Sequence, residues 1–197
     1  MILYTHPRSG NGYKVSLLLS LLKLPHESIF LDFAKGEHKT AAYLAKNPRG
    51  QVPVLEDGAI VLWESQSILA YLARRAEAEA WFPQDPAGCG LTIRWLSFSG
   101  AEIDGLADAR RVHLLGYERD LEKAIRMGAA ALAILNAQLE KTKFLVGDHP
   151  TIADVACYPY VAMAHEGKID IRPYANVDRW VSDIETLPGY IPYPGKD

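Results

Sequence analysis

A small mixed α/β domain followed by an all-helical one is the architecture this sequence predicts. Three observations carry that reading. Strand-like and helix-like runs alternate over residues 1–76, and a charged stretch with alanines and prolines follows at 77–86. From residue 87 to 197 strand signals all but vanish, and apolar residues recur at helical spacing.

The elements follow in order. Ile2-Leu3-Tyr4 reads as a short strand that must turn at His6-Pro7-Arg8-Ser9-Gly10. A helix is predicted from about Asn11 to Leu22, because Val15, Leu18, Leu19 and Leu22 recur as one buried stripe, and Pro25 forbids much continuation. Ser28 to Phe33 alternates like a second strand, and a short helical piece near Thr40–Ala45 stops before Asn47-Pro48-Arg49-Gly50. Val52–Glu56 and Ala59–Leu62, split by Asp57-Gly58, read as a hairpin, since that dipeptide supports the turn that such strands need. A helix over Ser65–Arg75 places Ile68, Leu69 and Leu72 on one face. The order is βαβαββα, with the first two strands parallel and the hairpin antiparallel, so the sheet is mixed. In the second domain, Leu91–Leu115 is helical but interrupted by glycines. Tyr117–Lys141 carries two series, Leu121/Gly128/Leu135 and Ile125/Leu132/Leu139. Thr151–Glu166 and Val177–Leu187 supply further helices.

Composition bounds the function. The chain has 21 Lys and Arg against 24 Asp and Glu, a formal net charge of −3, and 49% hydrophobic residues. It is apolar enough to offset the entropy of ordering, and it lacks the positive surplus of a nucleic-acid binder. No run approaches the ~20 apolar residues of a membrane span, and the start has no basic and apolar leader pattern. Cys89 and Cys157 are the two cysteines, without the spacing of a disulfide framework or a metal site. A soluble, cytoplasmic protein that takes no metal and binds neither nucleic acid nor membrane is the expectation.

Phosphate loops, dinucleotide fingerprints, zinc-protease helices and nucleophile elbows are missing from the sequence. Three features of the first domain carry chemistry. Ser9 lies in a glycine-rich turn at a helix start, where it either caps the helix or offers a hydroxyl, beside free backbone N–H groups, to an anion. Gln51-Val52-Pro53 opens a strand; the proline is either trans at a strand's first residue or cis in a tight turn that leaves the Val52 backbone free to pair with a peptide. Glu64-Ser65 begins the third helix, where Ser65 caps it or binds a carboxylate and Glu64 can hold an ammonium. Taken together they suit one ligand carrying a thiol, a peptide backbone, a carboxylate and an ammonium, and that ligand is glutathione.

The run Tyr4-Thr5-His6-Pro7-Arg8-Ser9-Gly10-Asn11-Gly12-Tyr13-Lys14-Val15 resembles the opening of a bacterial cytosolic glutathione transferase. So do Asn47 through Leu55, Trp63 through Leu72, and, in the second domain, Phe144 through Asp154 and Asn176 through Gly189. The resemblance implies a thioredoxin-like glutathione-binding domain over 1–76, a linker at 77–86, and a helical domain over 87–197 that forms the electrophile pocket. It further implies a homodimer. Ser9 would donate to the glutathione sulfur, as in serine-type members. Val52 would pair its backbone with the cysteinyl part beside a cis Pro53, Gln51 would belong to the same glutathione-binding set, and Glu64 with Ser65 would hold the γ-glutamyl part. His38 falls where theta-like members contact the glycyl carboxylate; as a residue on its own it reads equally as a solvated loop histidine. Ser9-Gly10-Asn11-Gly12 also resembles the turn of nu-like members, which reduce disulfides, making Asn11 a second donor to sulfur. Thr151 and Asp154 match a capping box that serves folding.

Departures narrow the chemistry. No cysteine lies between Tyr4 and Val15, so the cysteine-type mechanism is unsupported, and Ser97 and Asp104 stand where beta-like members place Asn and His after Trp95. The expected activity is attack of a glutathione thiolate on a small electrophile. A glutathione-dependent disulfide reductase or peroxidase, and a non-catalytic binding or assembly module, stand as alternatives. Arg111, Tyr158 and Met163 are candidates for the electrophile pocket.

Overall fold

A computed structural model describes residues 1–194 of the chain. The last three residues assigned above to the helical domain lie outside the described residues. Two units emerge: Met1–Glu77 with the segment from Pro188 onward, and Ala78–Leu187.

The first unit is built on a four-stranded sheet of order β2-β1-β3-β4, with β1 at Ile2–Thr5, β2 at Glu27–Phe30, β3 at Val54–Asp57 and β4 at Ile60–Trp63. β1 runs parallel to β2 (Ile2 opposite Glu27) and antiparallel to β3 (Leu3 opposite Leu55), and β3 and β4 form the hairpin. This is the mixed sheet that the order of elements implied, in the thioredoxin-like arrangement that the resemblance implied. Helices α1 (Gly10–Leu21), α2 (Ala41–Leu44) and α3 (Ser65–Arg75) fill the connections, with a 3₁₀ turn at Glu37–Lys39. Because side chains alternate across a strand, the register pair Leu3 and Leu55 falls on one face of the sheet and the pair Tyr4 and Val54 on the other. Leu3 and Leu55 are fully buried, as are Val15, Leu18 and Leu19 of α1 and the apolar stripe of α3, and these two helices pack against each other; Leu22, the C-cap, is half-buried. Val54 packs with Leu31 and Tyr43 of α2, and Tyr4, Ile29, Phe33 and Val52 close that cluster.

Among the boundaries that differ from expectation, two have a clear physical reason. The third strand begins at Val54, not Val52, because Pro53 has no N–H for the ladder. The second strand ends at Phe30, since Asp32 turns the chain by accepting the N–H groups of Ala34 and Lys35 at 3.0 and 3.1 Å.

The closing segment, read above with the helical domain, groups with the first unit. Tyr13 O–H donates to the Ile191 carbonyl at 2.6 Å, Ser20 O–H to that of Gly189 at 2.7 Å, and the Tyr13 and Tyr193 rings meet edge to face at 5.3 Å.

In the second unit α4 (Pro86–Ala101), α5 (Asp104–Leu115), α6 (Leu121–Leu139), α7 (Ile152–Ala162) and α8 (Ala175–Glu185) pack as a helical group. Glycines bring α5 and α6 together: a Cβ on Gly105 would sit 2.6 Å from the Gly128 nitrogen. Of the two α6 series, Gly128, Leu132, Leu135 and Leu139 are buried, Leu121 is half-buried and Ile125 is exposed. The buried stripe of this helix therefore starts at Ala124. Trp95, Cys157 and Trp180 belong to the core. No helix among the described residues is long and apolar enough to cross a membrane.

Candidate functional site

Ser9 is the N-cap of α1 in extended geometry, and its Oγ accepts the Gly12 N–H at 3.0 Å. That use of a lone pair leaves the hydroxyl proton to donate, at a helix end where backbone N–H groups and the dipole favour an anion. Gly12 is fixed by sterics, since a Cβ there would lie 2.1 Å from Thr5 Oγ1. Gly12→Ala is expected to pry α1 from β1 and to cost about 1–3 kcal/mol as an overpacked site, read as a lower denaturation midpoint with unchanged slope. A midpoint equal to wild type would mean that the turn yields freely.

Asn11, on the first turn of α1, meets the start of α3: the Ser65 hydroxyl lies 3.5 Å from its Oδ1. Ser65 is buried, while its neighbour Glu64 holds a backbone of φ 70° and ψ 115°, a conformation that L-residues rarely adopt. This geometry turns the Glu64 carboxylate toward the 47–51 turn, where Arg49 pairs with it.

That turn is organised from below. Asn47 is buried; its amide donates to the Gln51 carbonyl at 2.7 Å and its Oδ1 accepts the Arg49 N–H at 3.0 Å. Tyr43 O–H donates to the same Gln51 carbonyl at 2.8 Å, and burial pushes its phenol well above the usual range. The Val52–Pro53 peptide is cis, and the backbone N–H and C=O of Val52 take no hydrogen bond among the described residues. Gly50, at φ 58°, lies against the 3₁₀ turn that carries His38: a Cβ would meet the His38 carbonyl oxygen at 2.8 Å.

The predicted residues therefore join in one chain of contacts. Asn11 touches Ser65, Glu64 is paired with Arg49, and the turn of Arg49 to Val52 packs on the segment of His38. Ser9 stands two residues before Asn11 at the same helix end. The sequence reading did not single out Arg49, Asn47, Tyr43 or Phe33. Asn47 and Arg49 lay inside a quoted motif, but an arginine in a turn gives no local sign of its partner.

Among the candidates in the helical unit, Tyr158 and Met163 are buried. Tyr158 donates to Glu185 at 3.0 Å and meets the Trp180 ring edge to face, so it serves that unit's core. Arg111 is bound to Asp108 at 2.7 Å and Asp104 at 3.1 Å. No group of three His, Cys, Asp or Glu side chains among the described residues is placed to hold a metal ion.

Comparison with known proteins identifies the family and the fold. Residues 1–74 match the family model of the glutathione S-transferase N-terminal domain and residues 94–188 that of the C-terminal domain. Glutathione S-transferase GstB of Escherichia coli K12 is 30% identical, over 94% of this chain and 93% of its own. The crystal structure of a glutathione S-transferase from Pseudomonas fluorescens Pf-5 superposes with a TM-score of 0.89 at 36% identity, covering 98% of both chains. The transferase URE2P6 of Phanerochaete chrysosporium, solved with oxidized glutathione, gives a TM-score of 0.87 at 29% identity over 95% of this chain and 91% of its own. Two family models in order along the chain, and near-complete coverage by such relatives, place this protein in the glutathione S-transferase family.

Proposed function

We infer that the first unit binds glutathione and ionises its thiol for attack on a small electrophile, with Ser9 as the principal donor to sulfur. The observation that carries this is the Ser9 hydroxyl at the start of α1, occupied as an acceptor and available as a donor. Asn11, whose Oδ1 faces the Ser65 hydroxyl, has its amide N–H groups to offer as a second donor. Val52 pairs its unused backbone groups with the cysteinyl residue beside Pro53, and Gln51 lines the same edge. Glu64 takes the ligand ammonium, Ser65 and the N-terminus of α3 take the neighbouring carboxylate, and His38 takes the glycyl carboxylate. The complex of the Phanerochaete relative with oxidized glutathione supports glutathione as the ligand class.

The energetics are of the right size. A cysteine thiol titrates near ~8.5, and lowering it by about two units needs ~2.7 kcal/mol of preference for the thiolate. A hydroxyl bond to an anion supplies about 1.5–3 kcal/mol and a helix N-terminus about 0.3–1 more. The thiol proton passes to solvent, the thiolate forms the new S–C bond, and the electrons of the broken bond leave with the acceptor's leaving group. Titrating the protein with glutathione while following thiolate absorbance against pH tests the reading. A saturable signal with a midpoint well below that of free glutathione is expected. Saturable binding without thiolate would remove serine-assisted activation of the thiol from the reading, and no binding at all would leave a scaffold.

β4 presents Ile60, Val61 and Trp63 at 46, 42 and 37% exposure on the edge of the sheet. An edge strand with exposed apolar side chains is a surface that proteins cover. A second copy of this chain fits that need, and sedimentation at micromolar concentration is expected to give twice the monomer mass; a monomer would remove the homodimer from the reading.

A further inference from the structure

Phe33 lies between two imidazoles. His38 stacks on it at 4.2 Å between centroids with 27° between planes, and His6 lies tilted across it at 4.6 Å and 37°. His38 comes from the 3₁₀ turn, Phe33 from the loop after β2 and His6 from the end of β1, so three separate segments meet in one stack. The Nδ1 atom of His38 is buried and without a hydrogen-bond partner, which leaves Nε2 as the nitrogen open to a ligand. We propose that Phe33 is a positioning residue of the glutathione site, holding His38 as a neutral imidazole whose Nε2–H donates to a carboxylate of the bound tripeptide. This rests on the glutathione reading above.

The argument concerns which nitrogen carries the proton. A proton on Nδ1 would bury an N–H without an acceptor, whereas a proton on Nε2 meets the ligand. An imidazolium carries both, so it is disfavoured while the stack holds the ring in place. The surroundings act on balance in the same direction, with Asp32 alone opposing it at His6. Burial and the adjacent Lys39 lower the His38 pKa. Across Phe33, burial and then Arg8 lower that of His6, and His38 itself opposes a charge there.

The anions nearby are already engaged. Glu37 accepts the Asp32 N–H at 2.7 Å, while Asp32 accepts from Ala34 and Lys35 and pairs with the Lys35 ammonium at 3.0 Å. Lys39 reaches the Arg49 carbonyl at 3.5 Å. A charged imidazolium on an aromatic face would gain some attraction, but this geometry offers its second N–H no acceptor. Recognition of the carboxylate thus depends on a fixed neutral donor and is insensitive to pH around neutrality.

The probe is S-methylglutathione, which keeps both carboxylates and the ammonium but has no thiol to ionise. Calorimetric titration of the full chain at pH 5.5 and 7.5 is expected to give wild-type affinities within two-fold. Phe33→Leu keeps an apolar side chain in the cluster but removes the flat shelf. Its affinity is expected to fall at pH 7.5 and to recover three-fold or more at pH 5.5, as the released imidazole titrates. Phe33→Tyr, which restores a ring, is expected to be flat again. A wild-type affinity rising more than two-fold toward pH 5.5 overturns the proposal, as does a Phe33→Leu variant as flat as wild type. Ring ¹⁵N spectra of the wild-type protein give a readout that needs no variant: His38 is expected to carry its proton on Nε2 throughout, and a doubly protonated ring at pH 6 overturns the proposal. Absence of S-methylglutathione binding at both pH values, with the ring spectra as expected, would instead strike the glutathione reading itself.

Discussion

Asp154→Ala is expected to lower stability by about 4 kcal/mol, because it strips four donors of one buried acceptor. One carboxylate oxygen accepts the Leu145 N–H and the Trp180 indole N–H, both at 2.9 Å; the other accepts the Thr151 N–H at 2.8 Å and its hydroxyl at 3.1 Å. Asp154 is 1% exposed and Trp180 fully buried, so water cannot replace the lost partner. A single cap is worth ~1 kcal/mol, and each buried donor left unpaired adds ~1–3. The sum exceeds a capping effect because the same carboxylate ties the start of α7 to the 144–147 loop and to α8. Burial pushes this carboxyl upward, and the four hydrogen bonds oppose that push. In a chain of this length the loss corresponds to a fall in Tm of about 8–16 °C. Asp154→Asn, which keeps the shape and one oxygen, should lose roughly half as much. Denaturant unfolding of both variants checks the pair, and a loss under 1 kcal/mol for alanine would show that the loop and α8 hold without the carboxylate.

The capping box was legible because its two members lie three residues apart and act locally. The extension of Asp154 to Leu145 and Trp180 was not, since those partners are set by how three segments fold together. The same division runs through the first unit. Asp57-Gly58 announced the hairpin, and the stripe of α1 announced its helix within a residue at either end. Pro53 marked the opening of the third strand, but nothing local decided between the two isomers of its peptide bond, because both fit a strand opening. Ile125 fitted a seven-residue series and is nonetheless exposed, as a helix period of 3.6 drifts away from a repeat of seven.

Ser9, Val52, Glu64 and Ser65 drew attention through residue type and position at helix or strand starts. The groups that orient them, namely Arg49 on Glu64, Asn47 and Tyr43 on Gln51, and Phe33 on His38, became visible only with tertiary contacts. The tail from Pro188 is the plainest instance: hydroxyls of Tyr13 and Ser20, more than 160 residues away, take up its carbonyls, and no periodicity records that.

Ser9→Ala is expected to slow turnover by about 10- to 100-fold near neutral pH if Ser9 donates to the glutathione sulfur. Removing a hydroxyl bond to an anion forfeits about 1.5–3 kcal/mol, which returns as a thiol pKa raised by roughly one to two units. The sign can be checked on the pH profile. The acidic limb of the rate curve should move to higher pH, and the deficit should shrink above the thiol's ordinary range, where wild type and variant are both ionised. Glutathione affinity should change little, because the contacts proposed for the γ-glutamyl, glycyl and backbone groups lie on other residues.

Alanine also removes the cap that Ser9 gives the Gly12 N–H, a loss of about 1 kcal/mol in stability that could itself misplace the helix end. Ser9→Gly separates the two roles, since glycine caps within a few tenths of a kcal/mol of serine yet has no hydroxyl. Both variants slow and shifted to the same extent, with only alanine destabilised, is the expected result. If glycine keeps full turnover, the hydroxyl acts as a cap alone. The thiolate must then draw on Asn11 and the free N–H groups of α1, and Asn11→Ala becomes the variant that should carry the loss.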